Sequence, residues 1–164
     1  MKLRLSLSLP LSISLSLLLA ASALITACGP SVTLQTPPGF AVLPQQKEYL
    51  YRAATADGVV LAVRAEENKP SGNLDFWSEA LDRQLQQASY KPDGKPEEVK
   101  SASGIPGRRL KYTRENQGRT YRYWMTVFVT ETRVFCVEAG GDQDRFKGKS
   151  LETIQKAADS VIFG

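Results

Sequence analysis

The residues able to do chemistry are few. The 164-residue chain contains no His and two Cys. Without an imidazole there is no Ser-His-Asp triad, no Cys-His pair and no His-metal site. Two thiols cannot make an all-cysteine zinc site or a disulfide framework. Gly140-Gly141-Asp142-Gln143-Asp144 has the acidity of a calcium loop. An EF-hand loop starting at Asp142 would need Asp or Asn fifth, Gly sixth and Glu twelfth. Phe146, Lys147 and Thr153 stand there, so the stretch reads as a strand-to-helix turn. Gly104-Ile105-Pro106-Gly107 lacks the Lys-Ser/Thr of a phosphate loop. Glu66, Glu67, Glu97 and Glu98 fall at loops and strand ends, with no two marked as a facing pair. With no nucleophile, base and oxyanion donor assembled, the expectation is a non-enzyme with no metal and no cofactor.

Cys28 is the residue whose neighbours most define its chemistry. Lys2 and Arg4 precede the uncharged stretch 5–27, which closes on Leu24-Ile25-Thr26-Ala27-Cys28-Gly29. A basic start, an apolar run and small residues at its end describe a secretory signal. The closing hexapeptide resembles the lipobox of bacterial lipoprotein precursors. That resemblance makes Ile25, Thr26, Ala27 and Cys28 the recognition and cleavage site. It also makes the Cys28 thiol the lipid attachment point, with the signal cut just before it. Gly29, where Asp would favour inner-membrane retention, implies the outer membrane facing the periplasm. The competing reading is an uncleaved membrane anchor, since the uncharged run is long enough to span a bilayer. Processing removes Lys2 and Arg4, lowering the net charge from +4 to +2. A nucleic-acid partner thereby loses its electrostatic footing.

Three parts follow: a signal peptide (1–27), a lipidated tether (28–38) and one domain (39–164). The tether ends in Pro37-Pro38 and would reach roughly 30 Å if extended. Phe40 to Leu43 forms a short strand closed by Pro44. Tyr49 to Ala54 and Val59 to Ala65 flank the Asp57-Gly58 turn and make a hairpin. Leu74, Trp77, Leu81, Leu85 and Ala88 recur at helical spacing behind a capping Asn73 or Asp75. After a short strand near Val99, strands at Arg108–Arg114, Arg119–Thr130 and Arg133–Ala139 are joined by turns at Asn116-Gln117-Gly118 and Glu131-Thr132. Turns this short require antiparallel pairing. Ser150 caps a last helix with Leu151, Ile154, Ala158, Val161 and Ile162 on one face. The fold class is α/β (α+β): one mainly antiparallel sheet with helices packed on both faces, an α/β/α sandwich.

Pro38-Gly39-Phe40, Asp57-Gly58, Asp75-Phe76-Trp77, Gly104-Ile105-Pro106-Gly107-Arg108-Arg109 and the closing stretch from Ser150 to Phe163 resemble the PsbP-like, Mog-type sandwich. The nearest bacterial relatives by that likeness are DcrB-like envelope lipoproteins. The resemblance covers about residues 37–163 and implies an accessory or binding subunit. It transfers no shared set of site residues.

Charge offers one candidate surface. Lys100 to Arg133 holds eight basic residues and two acidic ones, Glu115 and Glu131. By alternation, Arg109 and Lys111 share one side of their strand, and Arg122 and Trp124 one side of theirs. If those sides coincide, a basic and aromatic surface results, suited to an envelope protein or an anionic polymer. The leading expectation is thus a non-catalytic, lipid-anchored envelope protein binding such a partner. The alternative is a module for a small apolar or amphiphilic ligand, held between sheet and helix by residues such as Trp77, Met125 or Phe128. Cys136, in an apolar strand, is expected to be a small buried hydrophobe.

Overall fold

The computed structural model describes residues 29–44 and 47–164. The signal peptide and the recognition residues Ile25, Thr26, Ala27 and Cys28 therefore lie outside the described residues. In chain order the elements are β1 (Val32–Thr33), β2 (Ala41–Val42), β3 (Tyr51–Ala54), β4 (Val60–Glu67), α1 (Leu74–Gln87), β5 (Lys91–Pro92), β6 (Glu97–Lys100), β7 (Pro106–Asn116), β8 (Arg119–Val129), β9 (Arg133–Asp142), α2 (Lys149–Asp159) and β10 (Ile162–Phe163). Among the described residues, no helix is long and apolar enough to cross a membrane.

β7, β8 and β9 form the antiparallel meander on which everything else is built. Gln117 and Gly118 both take positive φ, 51° and 74°. That is the hand of a two-residue turn matching the twist of its strands. The turn fixes the register, so Lys111 faces Trp124 and Tyr112 faces Tyr123. Thr130 closes the second turn, its Oγ1 accepting from Arg133 N–H at 3.0 Å. β9 then pairs with β4, and the β3–β4 hairpin turns on Gly58 at φ 89°. The sheet runs β2-β3-β4-β9-β8-β7-β5, with β6 also pairing β7.

Two apolar clusters draw on alternating residues of the same strands. Trp124 and Phe128 of β8, with Phe135 and Val137 of β9, join Ile154, Ala157 and Ala158 of α2. Met125 and Val127, with Val134 and Cys136, join Leu74, Trp77, Leu81 and Leu85 of α1. Phe128, Phe146 and Ile154 are fully buried, each stabilising the fold by about 1.5–3 kcal/mol. Asn73 caps α1, its side chain accepting from Phe76 N–H at 2.9 Å.

The C-terminal region differs from expectation. Gly148, not Ser150, precedes α2, and Ser150 lies inside the first turn with its Oγ donating to the Lys147 carbonyl at 2.8 Å. The helix ends at Asp159, and Ile162 leaves the helical face to enter β10. Phe163 drives this exit by stacking on Phe135 and packing against Phe128.

The stretch expected to be a free tether is largely docked. Ser31 and Gly164 exchange two backbone hydrogen bonds at 3.2 and 3.1 Å. Val32 and Thr33 pair with β10. Gln35 N–H donates to Ser160 Oγ at 3.1 Å, and Thr36 Oγ1 accepts from Tyr51 OH at 3.0 Å. Apolar burial of Val32 and Leu34 against the α2-side cluster outweighs the polarity that suggested a linker.

Candidate functional site: a cleft and groove beside α1

The four residues of the candidate basic surface are brought together, with Arg109 and Trp124 buried and Lys111 and Arg122 half-buried. Their register puts Arg109, Lys111, Arg122 and Trp124 on one side of the sheet. Lys111 Nζ lies 4.8 Å from the Trp124 ring centroid and the Arg109 guanidinium 5.8 Å. Arg109 is 0% exposed and Trp124 8% exposed. Arg109 donates to Asp159 of α2 and to Thr126 Oγ1 at 3.2 Å, with a Glu97 oxygen 4.0 Å away. Lys111 pairs with Glu97, and Arg122 donates to the Phe146 carbonyl at 3.4 Å. The basic excess counted along one stretch is met by acids from β6 and α2. Arg109 and Lys111 are thus neutralised by Asp159 and Glu97, while Arg122 meets a carbonyl rather than an acid.

Tyr121 and Tyr123, of the opposite parity on β8, line an open site together with residues of both parities at that end of the sheet. A cleft of about 360 Å³ is lined by Arg52, Arg114, Tyr90, Tyr121, Tyr123 and Glu138, among others. β3, β4, β7, β8 and β9 supply its floor, and Tyr90 just beyond α1 supplies a wall; no residue of α1 lines it. The Tyr90 ring lies 5.2 Å from that of Tyr123, and the Arg114 guanidinium lies 5.1 Å above Tyr90. Arg52 lies 5.3 Å from the Tyr49 ring centroid. Arg64 Nε donates to Glu138 at 2.6 Å, so the carboxylate in the cleft lining is matched by a guanidinium. Gly140, inside β9, keeps the floor low: a Cβ there would stand 3.4 Å from the Tyr123 ring and 3.1 Å from the Arg122 carbonyl oxygen. Burial is the main reason the Tyr123 hydroxyl keeps its proton well above the usual range, and the Glu138 charge adds to it.

Tyr123 is also a wall of a second depression, a groove of about 760 Å³ between α1 and the β4 side of the sheet. Trp77, Leu81, Leu85, Met125 and Cys136 give it an apolar lining, while Arg64, Glu66, Glu67 and Lys69 stand among its polar members. Asn68 sets the Trp77 indole, accepting from Nε1 at 2.7 Å. Its amide donates to the Thr130 carbonyl at 3.0 Å. Of the three residues expected around an apolar ligand, Trp77 and Met125 are in the groove. Phe128 is not: it has the other parity and packs against Phe163.

Cys136 is buried among apolar neighbours. Burial first, and the Glu138 charge second, push its thiol up to about 12. At neutral pH it is a protonated, unreactive group.

Sequence reasoning passed over Tyr90, Tyr121, Tyr123 and Arg114. The Tyr121-x-Tyr123 alternation and the two-residue turn that sets Arg114 opposite Tyr121 were the available signals. Tyr123 is common to the linings of the cleft and the groove, so the two depressions adjoin.

No family model matches the chain, and no curated protein matches it by sequence. Among solved structures it is similar to LpqN, involved in cell envelope biogenesis of Mycobacterium tuberculosis. The identity is 12%, the match covers 82% of this chain and 84% of that one, and the TM-score is 0.63. A protein of Bacteroides thetaiotaomicron VPI-5482 matches at 11% identity and TM-score 0.49, over 80% of this chain but only 44% of its own length. PA94 of Pseudomonas aeruginosa, a protein of unknown function, matches at 12% identity and TM-score 0.43, over 71% of this chain and 86% of that one. At such identities the likeness to LpqN establishes a shared fold.

Proposed function

We propose that this chain is a non-catalytic, lipid-anchored envelope protein whose domain binds an amphiphilic molecule in the groove beside α1. The observation that carries the reading is the groove itself. Apolar Trp77, Leu81, Leu85 and Met125 lead to Tyr123, where the arginine- and tyrosine-lined cleft begins. An apolar chain and an anionic head would each meet a matching surface. The ligand alternative is preferred to an anionic polymer or protein partner because Arg109 and Lys111 are already neutralised from within.

The anchor part of the proposal rests on Ile25-Thr26-Ala27-Cys28, with Gly29 supporting outer-membrane delivery. The likeness to LpqN, itself involved in envelope biogenesis, supports an envelope role. Two clusters of opposite parity, one with each helix, support reading the layers as helix, sheet, helix in the PsbP-like manner.

Calorimetric titration with an anionic single-chain lipid such as lysophosphatidylglycerol tests the groove. Gln84→Glu with Ala88→Glu adds two carboxylates at exposed lining positions and removes no core contact. Affinity is expected to fall about tenfold or more, a change of about 1.4 kcal/mol. Equal affinity in the two proteins would place binding elsewhere.

A further inference from the structure

The docking of β1 fixes more than the chain's path. Only Gly29 and Pro30 separate Cys28 from Ser31, which is bonded to Gly164 in both directions. Three residue spacings span at most about 11 Å. The β1–β10 ladder is therefore held within that distance of the lipidated residue, resting here on the anchor reading above.

The ladder sits at one identifiable end of the sheet. Phe163 stacks on Phe135 and touches Phe128, the cross-strand pair next to the last one before the β8–β9 turn. The loop leading into α1 reaches the same end, because Asn68 donates to the carbonyl of Thr130 in that turn. Among the described residues, two of the three large exposed hydrophobics are found here, Ile162 at 50% and Phe76 at 44% exposure. Charges at this end are mixed: Glu67 is paired with Lys69, and Glu131 adjoins Arg133 in the chain. Such an end neither requires nor repels an anionic surface.

We infer that the protein stands on its own membrane with the β8–β9 turn end against the phospholipid headgroups, Ile162 and Phe76 entering the interface. Tyr121, at the far end of β8, is then held about 27 Å further out. The cleft opens to the aqueous side, and the Glu67–Lys69 mouth of the groove opens beside the headgroups. An amphiphile leaving the leaflet meets the apolar lining before it meets the arginines.

The test uses the processed, lipidated protein in vesicles of phosphatidylethanolamine and phosphatidylglycerol carrying a nitroxide-lipid quencher. A fluorophore is placed on single Cys substitutions Ile162→Cys, Phe76→Cys, Asp57→Cys and Gln117→Cys; buried Cys136 stays unlabelled. Labels at 162 and 76 are expected to lose most of their fluorescence, and labels at 57 and 117 to keep theirs. Inserting ten Gly/Ser residues between Pro30 and Ser31 leaves the domain intact and is expected to remove the difference. Equal quenching at all four sites, with mass spectrometry showing acylated Cys28, would overturn the orientation while leaving the anchor standing. A difference that survives the insertion would overturn the short link as its cause. An unmodified Cys28 would remove the anchor reading and the orientation together.

Discussion

Arg109 shows how a charged residue can be placed correctly and still be given the wrong job. Its side of the strand, and its company with Lys111 and Trp124, follow from alternation and the Gln117-Gly118 turn. Its depth does not, because Asp159 and Glu97 come from segments 50 and 12 residues away. With Asp159 replaced by Asn, a fully buried guanidinium loses its short-range acid. The expected loss is about 1–3 kcal/mol, seen as a lower urea midpoint. Adding Arg109→Met removes the stranded charge and is expected to recover part of it. No recovery in the double variant would mean that packing, not charge, is what Arg109 contributes. Cys136 gives a pH signature. The unfolded chain releases the thiol proton near 9.0, while the folded protein holds it to about 12. Ionisation therefore favours the unfolded state as pH rises, so this contribution is intact below about pH 9 and lost toward about pH 12. Burial of Tyr112 and Tyr123 acts in the same direction. Urea midpoints are expected to fall between about pH 8 and about pH 11, less steeply in Cys136→Ala.

At the scale of elements, long patterned segments were legible, as were the short strands at β2 and β6, but three other short strands were not. The meander, the β3–β4 hairpin and α1 each carry their own periodicity and turn residues. β1, β5 and β10 are two residues long and exist only because a distant partner accepts their backbone groups. β10 was hidden further by Val161, whose place in the apolar pattern extended the helix on paper past its end at Asp159. The loop before α1 depends on one side chain. Asn68 is 7% exposed, and besides Trp77 and Thr130 it bonds Gly72 in both directions. Asn68→Ala is expected to cost about 2–3 kcal/mol by stranding buried polar groups. Because it also frees the Trp77 indole, lipid titration is expected to show weaker binding at a temperature where the variant remains folded. Unchanged affinity there would detach Trp77 from the ligand site. Gly118→Ala, at φ 74°, is expected to cost about 1–2 kcal/mol, measurable as a lower melting temperature.

For the whole molecule, strand parity divides the work. Residues of one parity pack in the α2-side cluster, where Arg109 is paired with Asp159 and Lys111 with Glu97, while those of the other pack on α1, line the groove beside it, or line the cleft beyond its end. The α+β class with a mainly antiparallel sheet could be read from element order. The groove was legible in part, through Trp77 and Met125; the cleft was not, because it lies where α1 stops, and helix length against sheet length is a tertiary quantity. The lipid on Cys28 and an amphiphile in the groove belong to one proposed molecule. Native mass spectrometry of the protein released from envelope membranes in mild detergent tests both parts in one spectrum. The predicted result is a chain beginning at acylated Cys28 and carrying one non-covalent anionic lipid, which is absent in Gln84→Glu with Ala88→Glu. An acylated chain that never retains a lipid, or retains it equally in both proteins, would contradict the groove. A chain with an unmodified start would contradict the anchor.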